Sequence, residues 1–151
     1  MANSQPWITL SISYERSLAL LTNASRERYL AEVSGHRAGF LMVSMQGAFV
    51  GYVQLLGVAA EFRGQGVGKA LIEFAEQRIF RETQNVFICV SDFNQDAQRF
   101  YARMGYERVG ELRDFIVAGH FIGFVIGRNG DLYNLPEVII THLAWQNIND
   151  V

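Results

Sequence analysis

From Ala48 to Val90 the chain reads as a strand, a glycine-rich loop, a helix and a second strand, and this run narrows its fold more than any other segment. Strands joined through a helix in one sheet run parallel, because the crossover returns the chain in its original direction. The helix is legible from Val67, Ala70, Leu71, Phe74, Ala75 and Ile79, which recur at helical spacing, with Lys69 and Glu73 paired four apart on the solvent side. The second strand, Val86 to Val90, reads "VFICV". It is apolar without alternation, so it is expected to lie centrally, covered on both faces.

Around this unit the sequence predicts further elements. Trp7 to Ser13 reads as a strand and Tyr14 to Arg28 as one or two short helical turns. Tyr29 to Val33, Gly39 to Met45 and Ala48 to Ala59 read as an antiparallel meander, with "SGHR" and "QG" supplying the turns. Asn94 can cap a helix that carries Ala97, Phe100, Tyr101 and Met104 on one stripe, and Gly105 stands where a left-handed stop is wanted. Tyr106 to Val117 and Phe121 to Ile126 read as a last hairpin. Strands before a βαβ unit and a closing hairpin imply an α/β (α+β) fold, a mixed sheet flanked by helices.

A chain of 151 residues, half of them hydrophobic and 19% charged, can bury a single core. The net charge of -2 gives no bulk attraction to nucleic acid, and the run "GAFVGYVQLLGVAA" is too short to span a bilayer, so neither nucleic acid nor membrane is expected as a partner. The first residues lack the pattern of a secretory signal and Cys89 is the only cysteine, from which a cytoplasmic setting is expected.

The stretch "FRGQGVGKAL", Phe62 to Leu71, sets three glycines at alternate positions behind Arg63 and runs into the helix. A helix N-terminus offers unpaired N–H donors and the positive end of a dipole. Glycines let an anion approach with no Cβ in the way. The expected ligand therefore carries a phosphate or pyrophosphate. A P-loop needs a glycine where Arg63 stands and a hydroxyl where Ala70 stands. A dinucleotide fingerprint fails at Lys69 and Leu71.

The spacing Arg-x-x-Gly-x-Gly, entered from "LGVAAEF", is that of the GCN5-related N-acetyltransferase (GNAT) family, which the sequence resembles over roughly Trp7 to Ile126. A second segment, "NQDAQRFYARMGY", is similar to the family's Asn-x-x-Ala-x-x-x-Tyr followed by Gly and an aromatic, at Asn94, Ala97, Tyr101, Gly105 and Tyr106. The resemblance implies a mostly antiparallel, twisted sheet splayed between its two central parallel strands, with acetyl-coenzyme A in the gap. By the same resemblance, main-chain groups at Leu56, Gly57 and Val58 pair with the pantetheine amides, and Arg63, Gly64, Gln65, Gly66, Val67, Gly68 and Lys69 cradle the pyrophosphate. Asn94 then bonds the pantetheine arm, Tyr101 is the general acid, and a main-chain N–H at a strand bulge near Val58 polarises the thioester carbonyl.

The implied reaction is acetyl transfer from acetyl-coenzyme A to a primary amine, on a small molecule or on a peptide or protein N-terminus, by direct attack. The base is the gap in the resemblance. The ribosomal-protein alanine acetyltransferase branch has a glutamate where this chain has Cys89, and the histone branch has one where it has Val50. A lysine-like amine is neutral so rarely at pH 7 that deprotonation costs roughly 4 to 5 kcal/mol, against about 1.4 kcal/mol for an α-amino group. Either the acceptor is a low-pKa amine or water relays its proton to Glu32, Asp92, Asp114 or His120. The missing carboxylate also supports an alternative reading, a non-catalytic acyl-coenzyme A-binding regulatory domain. A third class is an interaction module built on the tail.

Cys89 reads as a small buried hydrophobe, and Tyr52 and Gln54 have two readings, contact with substrate or, the one favoured, alternate-facing core positions. His36 and His120 lack metal-ligand spacing, so no metal is expected. Residues 1–127 form the expected domain. Residues 128–151, with the apolar run Val138 to Ala144, form an extension expected to pack on that domain or on the partner in a homodimer.

Overall fold

The computed structural model describes residues 8, 9, 11, 13–128 and 143–147. The predicted strand at Trp7 to Ser13 falls largely outside them, and residues 8, 9 and 11 form turns. The first described element is instead α1, Tyr14–Leu21, whose N-cap Ser13 accepts a hydrogen bond from the Arg16 N–H.

Three antiparallel strands follow: β1 (Glu27–Val33), β2 (His36–Ser44) and β3 (Tyr52–Val58). The β1–β2 turn needs left-handed backbone at Ser34 and Gly35 (φ 51° and 78°). The third strand starts four residues later than the sequence predicted. Gly51 turns the chain at φ 87°, and a Cβ there would lie 2.6 Å from Ile79 and 2.7 Å from the Asn85 carbonyl. A 3₁₀ turn at Ala60–Phe62 leads to α2 (Val67–Ile79), β4 (Asn85–Ser91), α3 (Gln95–Arg103), β5 (Glu107–Arg113) and β6 (Phe121–Arg128). The last strand, β7 (Leu143–Asn147), pairs antiparallel with β1.

Among the described residues seven strands lie in the order β5-β6-β4-β3-β2-β1-β7, and of these β3 with β4 is the parallel pair. That pair is short. It joins Tyr52 to Phe87 and Val53 to Ile88 and then parts. The expected splayed sheet is thus present, with a gap between its central strands.

The core lies between the sheet and α2. Leu71, Ile72, Ala75 and Ile79 are fully buried against Ala31, Val43 and Val86. Burial of such side chains contributes about 1.5–3 kcal/mol each. Ile72 widens the apolar stripe beyond the predicted positions. Glu73 also departs from expectation: its carboxylate sits 3.4 Å from Lys69 Nζ but is buried rather than on the wet side. The aromatic that follows the Gly105 stop, Tyr106, donates its hydroxyl proton to buried Glu76 Oε1 at 2.6 Å and so ties the α3 exit to α2.

The expectation for β4 needs correction. Val86, Ile88 and Val90 are buried, but Phe87, Cys89 and Ser91 are only half-buried, so the strand alternates. The reason is that the two faces differ: Val86, Ile88 and Val90 lie in the core, while the opposite face, where Phe87 meets Phe49, is only partly covered.

Candidate functional site

The parting of β3 and β4 opens a cleft of about 1000 Å³. Its walls come from β3, the glycine loop, α3 and the end of β4, with α1 and the β5–β6 connection at its margins. Of the positions singled out in the sequence, Leu56, Val58, Arg63, Gly64, Gly66, Gly68, Lys69, Asn94 and Tyr101 line this cleft. Gly57, Gln65 and Val67 are not among the lining residues.

Each exception has a local cause. Gly57 lies opposite Phe40, whose ring occupies the space a Cβ would need: the nearest ring carbon would be 2.3 Å away. Glycine is therefore demanded here by the neighbouring strand. Gln65 turns its side chain back to donate to the Glu61 carbonyl at 2.7 Å, and Val67 is buried in the core.

The three loop glycines differ from one another. Gly64 and Gly66 adopt φ 72° and 85°, which side chains resist, and a Cβ on either would meet nothing within 4 Å. Gly68 has no such backbone, and a Cβ there would find only ordinary contacts with Val58 at 3.6 Å and Phe100 at 3.7 Å. Neither strain nor crowding explains the third glycine. It keeps the first turn of α2 clear on the cleft side.

The main-chain N–H groups of residues 64–69 make no hydrogen bond among the described residues. Those of Val67, Gly68 and Lys69 are the unpaired donors of the α2 N-terminus, and the helix dipole adds to them. Arg63 Nε reaches back to the Val58 carbonyl at 3.4 Å, holding its guanidinium between the end of β3 and the loop. This donor set offers an anionic group several main-chain N–H donors beside a cation.

At the floor, Tyr101 is held by α3, which starts where Asn94 Oδ1 accepts from the Ala97 N–H and stops at Gly105 in the left-handed region (φ 83°). Its ring packs against Phe100 and Tyr106, and burial pushes its phenol above the ordinary value near 10. Across from it stand Tyr52 and Cys89. Burial raises Tyr52, and the adjoining Cys89 thiol, hydrogen-bonded to the phenol, raises it further. Burial also raises Cys89, against the opposing hydrogen bond from Tyr52, so the thiol stays protonated.

Tyr52 and Gln54 are therefore not core residues. Val53 sits in the core with Val43, the bulge puts Leu55 with Met42 on the opposite face of the sheet, and Tyr52 and Gln54 are both among the residues that line the cleft. The signal was in the sequence, because a polar alternate within an apolar strand marks a second environment. The bulge also moves. Met42 pairs with Leu55 and Val43 with Val53, so Gln54 is the extra residue on β3 and the bulge lies four residues before Val58. Gln54 Oε1 accepts from Arg26 Nε at 3.0 Å, and the same guanidinium donates to Ser44 Oγ at 2.6 Å.

Of the four candidate proton acceptors, two meet. Asp92 at the end of β4 and His120 at the start of β6 stand 2.9 Å apart, Oδ1 to Nδ1. Burial alone would raise the Asp92 carboxyl, but hydrogen bonds from His120 and from the main chain, with the ring's charge, outweigh it and hold it below the usual range. Phe93 packs edge-on against the imidazole. Asp114 is taken up by the Gly119 N–H at 2.7 Å, and Glu32 is on β1, two strands from β3.

A profile of the acetyltransferase (GNAT) family matches residues 3–106. An uncharacterized N-acetyltransferase of Methanocaldococcus jannaschii is 38% identical over 52% of this chain, which spans about half (51%) of that relative's length. Among solved structures, nourseothricin acetyltransferase is 29% identical with a TM-score of 0.56, covering 66% of this chain and 65% of that one. A GNAT family acetyltransferase from Elizabethkingia anophelis with acetyl-coenzyme A bound shares the fold at TM-score 0.64 and 16% identity, covering 85% and 94%. No helix among the described residues is long and apolar enough to cross a membrane.

Proposed function

The chain belongs to the acetyltransferase (GNAT) family, and on that premise we propose that it transfers an acetyl group from acetyl-coenzyme A to a primary amine by direct attack. One observation carries this reading: a seat of unpaired N–H groups at residues 64–69 and the buried phenol of Tyr101 share one cleft. When bound, acetyl-coenzyme A supplies a thioester carbonyl activated toward nucleophiles.

In this reading the loop amides, Arg63 and Lys69 hold the pyrophosphate, and Asn94 with the free edge of β3 at Leu56, Gly57 and Val58 guides the pantetheine arm. The main chain freed by the bulge at Gln54 supplies N–H donation to the carbonyl oxygen. The acceptor nitrogen forms a C–N bond as the C–S bond breaks, and Tyr101 protonates the departing thiolate. A phenol whose ionisation is disfavoured by burial keeps its proton at neutral pH. The amine's proton passes through water to the Asp92–His120 pair, where the carboxylate stabilises the imidazolium that forms.

Calorimetry with acetyl-coenzyme A, followed by thiol release with an amine panel, tests the proposal. Absence of any binding by coenzyme A or its acetyl ester overturns it. Binding with no turnover on any amine favours the regulatory domain, a reading that the absence of a carboxylate at Val50 and Cys89 supports.

A further inference from the structure

Among the described residues, four of the five charged side chains that line the cleft are cationic: Arg16, Arg63, Lys69 and Arg103. From α1, Arg16 and Leu20 line it one turn apart, on one face of the helix. The Arg16 side chain has no hydrogen bond or ion pair among the described residues, only its main-chain N–H being used, by the Ser13 cap. A second guanidinium, Arg26, is fixed by Gln54 and Ser44 and is not among the lining residues. The sole acidic residue in the described lining is Asp96, which is 93% exposed and already paired with Arg99 at 2.5 Å.

Position separates Arg16 from the phosphate seat. Arg28 Nη1 bonds the Leu21 carbonyl at 2.7 Å and Arg26 bonds Gln54, which ties the C-terminal end of α1 to the bulge where β3 and β4 begin to part. The glycine loop lies past the far end of β3. The same cleft lining holds apolar side chains, Leu20 with Phe115 and Ile116, of which the last two are 68% and 55% exposed.

We propose that the acceptor is an amine that also bears a carboxylate on a small apolar body, with Arg16 as the residue that selects the carboxylate. The inference rests on the acetyltransferase reading above. A polycationic acceptor would meet the Arg16 guanidinium, with the paired Asp96 as the one carboxylate among the described lining residues. A carboxylate-bearing amine would meet a cation with no partner among the described residues, and a planar guanidinium suits a carboxylate in two-point contact. Fixing the carboxylate and the apolar body leaves the amine free to face the thioester carbonyl.

The test compares acids with their amides: leucyl-glycine against leucyl-glycinamide, and leucine against leucinamide. Rates are referred to the unprotonated amine, so that a change in amine pKa does not masquerade as recognition. We expect kcat/KM at least tenfold higher for the acid in one pair, the pair reporting how far the carboxylate stands from the nitrogen. Arg16→Gln should abolish that preference while leaving the affinity for acetyl-coenzyme A within twofold, and Arg16→Lys should restore part of it. Equal or better turnover of both amides overturns the proposal, as does loss of acetyl-coenzyme A affinity in Arg16→Gln. Turnover of simple amines with none of these four compounds accepted overturns this inference and leaves the acetyltransferase reading standing. Failure to bind acetyl-coenzyme A overturns both.

Discussion

The Asp92 carboxylate and the His120 ring face each other at 2.9 Å, joining the end of β4 to the β5–β6 connection across 28 residues of sequence. If this pair receives the acceptor's proton, His120→Gln should lower kcat/KM about 10²-fold or more at neutral pH and remove the acid limb of the pH profile. Retention of that limb in the variant would refute the role.

The same pair carries a stability signature. The Asp92 carboxyl is lowered in the folded state, so its contribution is present above the ordinary carboxyl value near 4 and is lost as pH falls through the folded value. Melting temperatures of wild type and Asp92→Asn should therefore differ at pH 6 and converge as pH falls below 4. A difference that persists unchanged at low pH would point to packing and not to charge.

Tyr101→Phe should cost about 10²–10⁴-fold in kcat with little change in acetyl-coenzyme A affinity, as expected of a general acid. Burial raises the phenol, so wild-type activity should show no alkaline limb from this residue up to at least pH 10. A descending limb centred near 9 that disappears in Tyr101→Phe would contradict the assigned burial.

Gly68→Ala and Gly66→Ala should separate ligand space from backbone need. Gly66 sits at φ 85°, so alanine there should cost about 1–2 kcal/mol of stability in the absence of ligand. At Gly68 the added methyl meets only ordinary contacts, so stability should hold or rise while acetyl-coenzyme A binding weakens at least tenfold. Calorimetry alongside urea unfolding checks both. Unaltered binding by Gly68→Ala would remove the loop's first turn from the site.

Gly57→Ala should destabilise by about 1–3 kcal/mol, because its methyl would fall 2.3 Å from the Phe40 ring. Adding Phe40→Leu should recover part of that loss. If the single substitution is neutral, the ring does not rest over Gly57.

Much of this site could be read from the chain because its parts are local. Asn94 caps the helix it precedes, Gly105 stops the same helix, and the glycine loop opens α2, all within a few residues of the positions they serve. At Tyr52 and Gln54 the core reading was favoured over contact with substrate for the opposite reason. Whether an alternate strand position meets core or cleft depends on a neighbouring strand, and β4 leaves β3 after two paired residues.

The order of elements, the parallel crossover and the helix that starts behind the third glycine follow from spacing and turn chemistry alone, since apolar period and left-handed backbone are properties of neighbouring residues. Where the central strands part, which residue bulges and which acid meets His120 depend on groups dozens of positions apart. Those outcomes are fixed when the sheet twists and packs on α2, because only then do Gln54, Asp92 and Arg16 acquire the surroundings on which their proposed tasks depend.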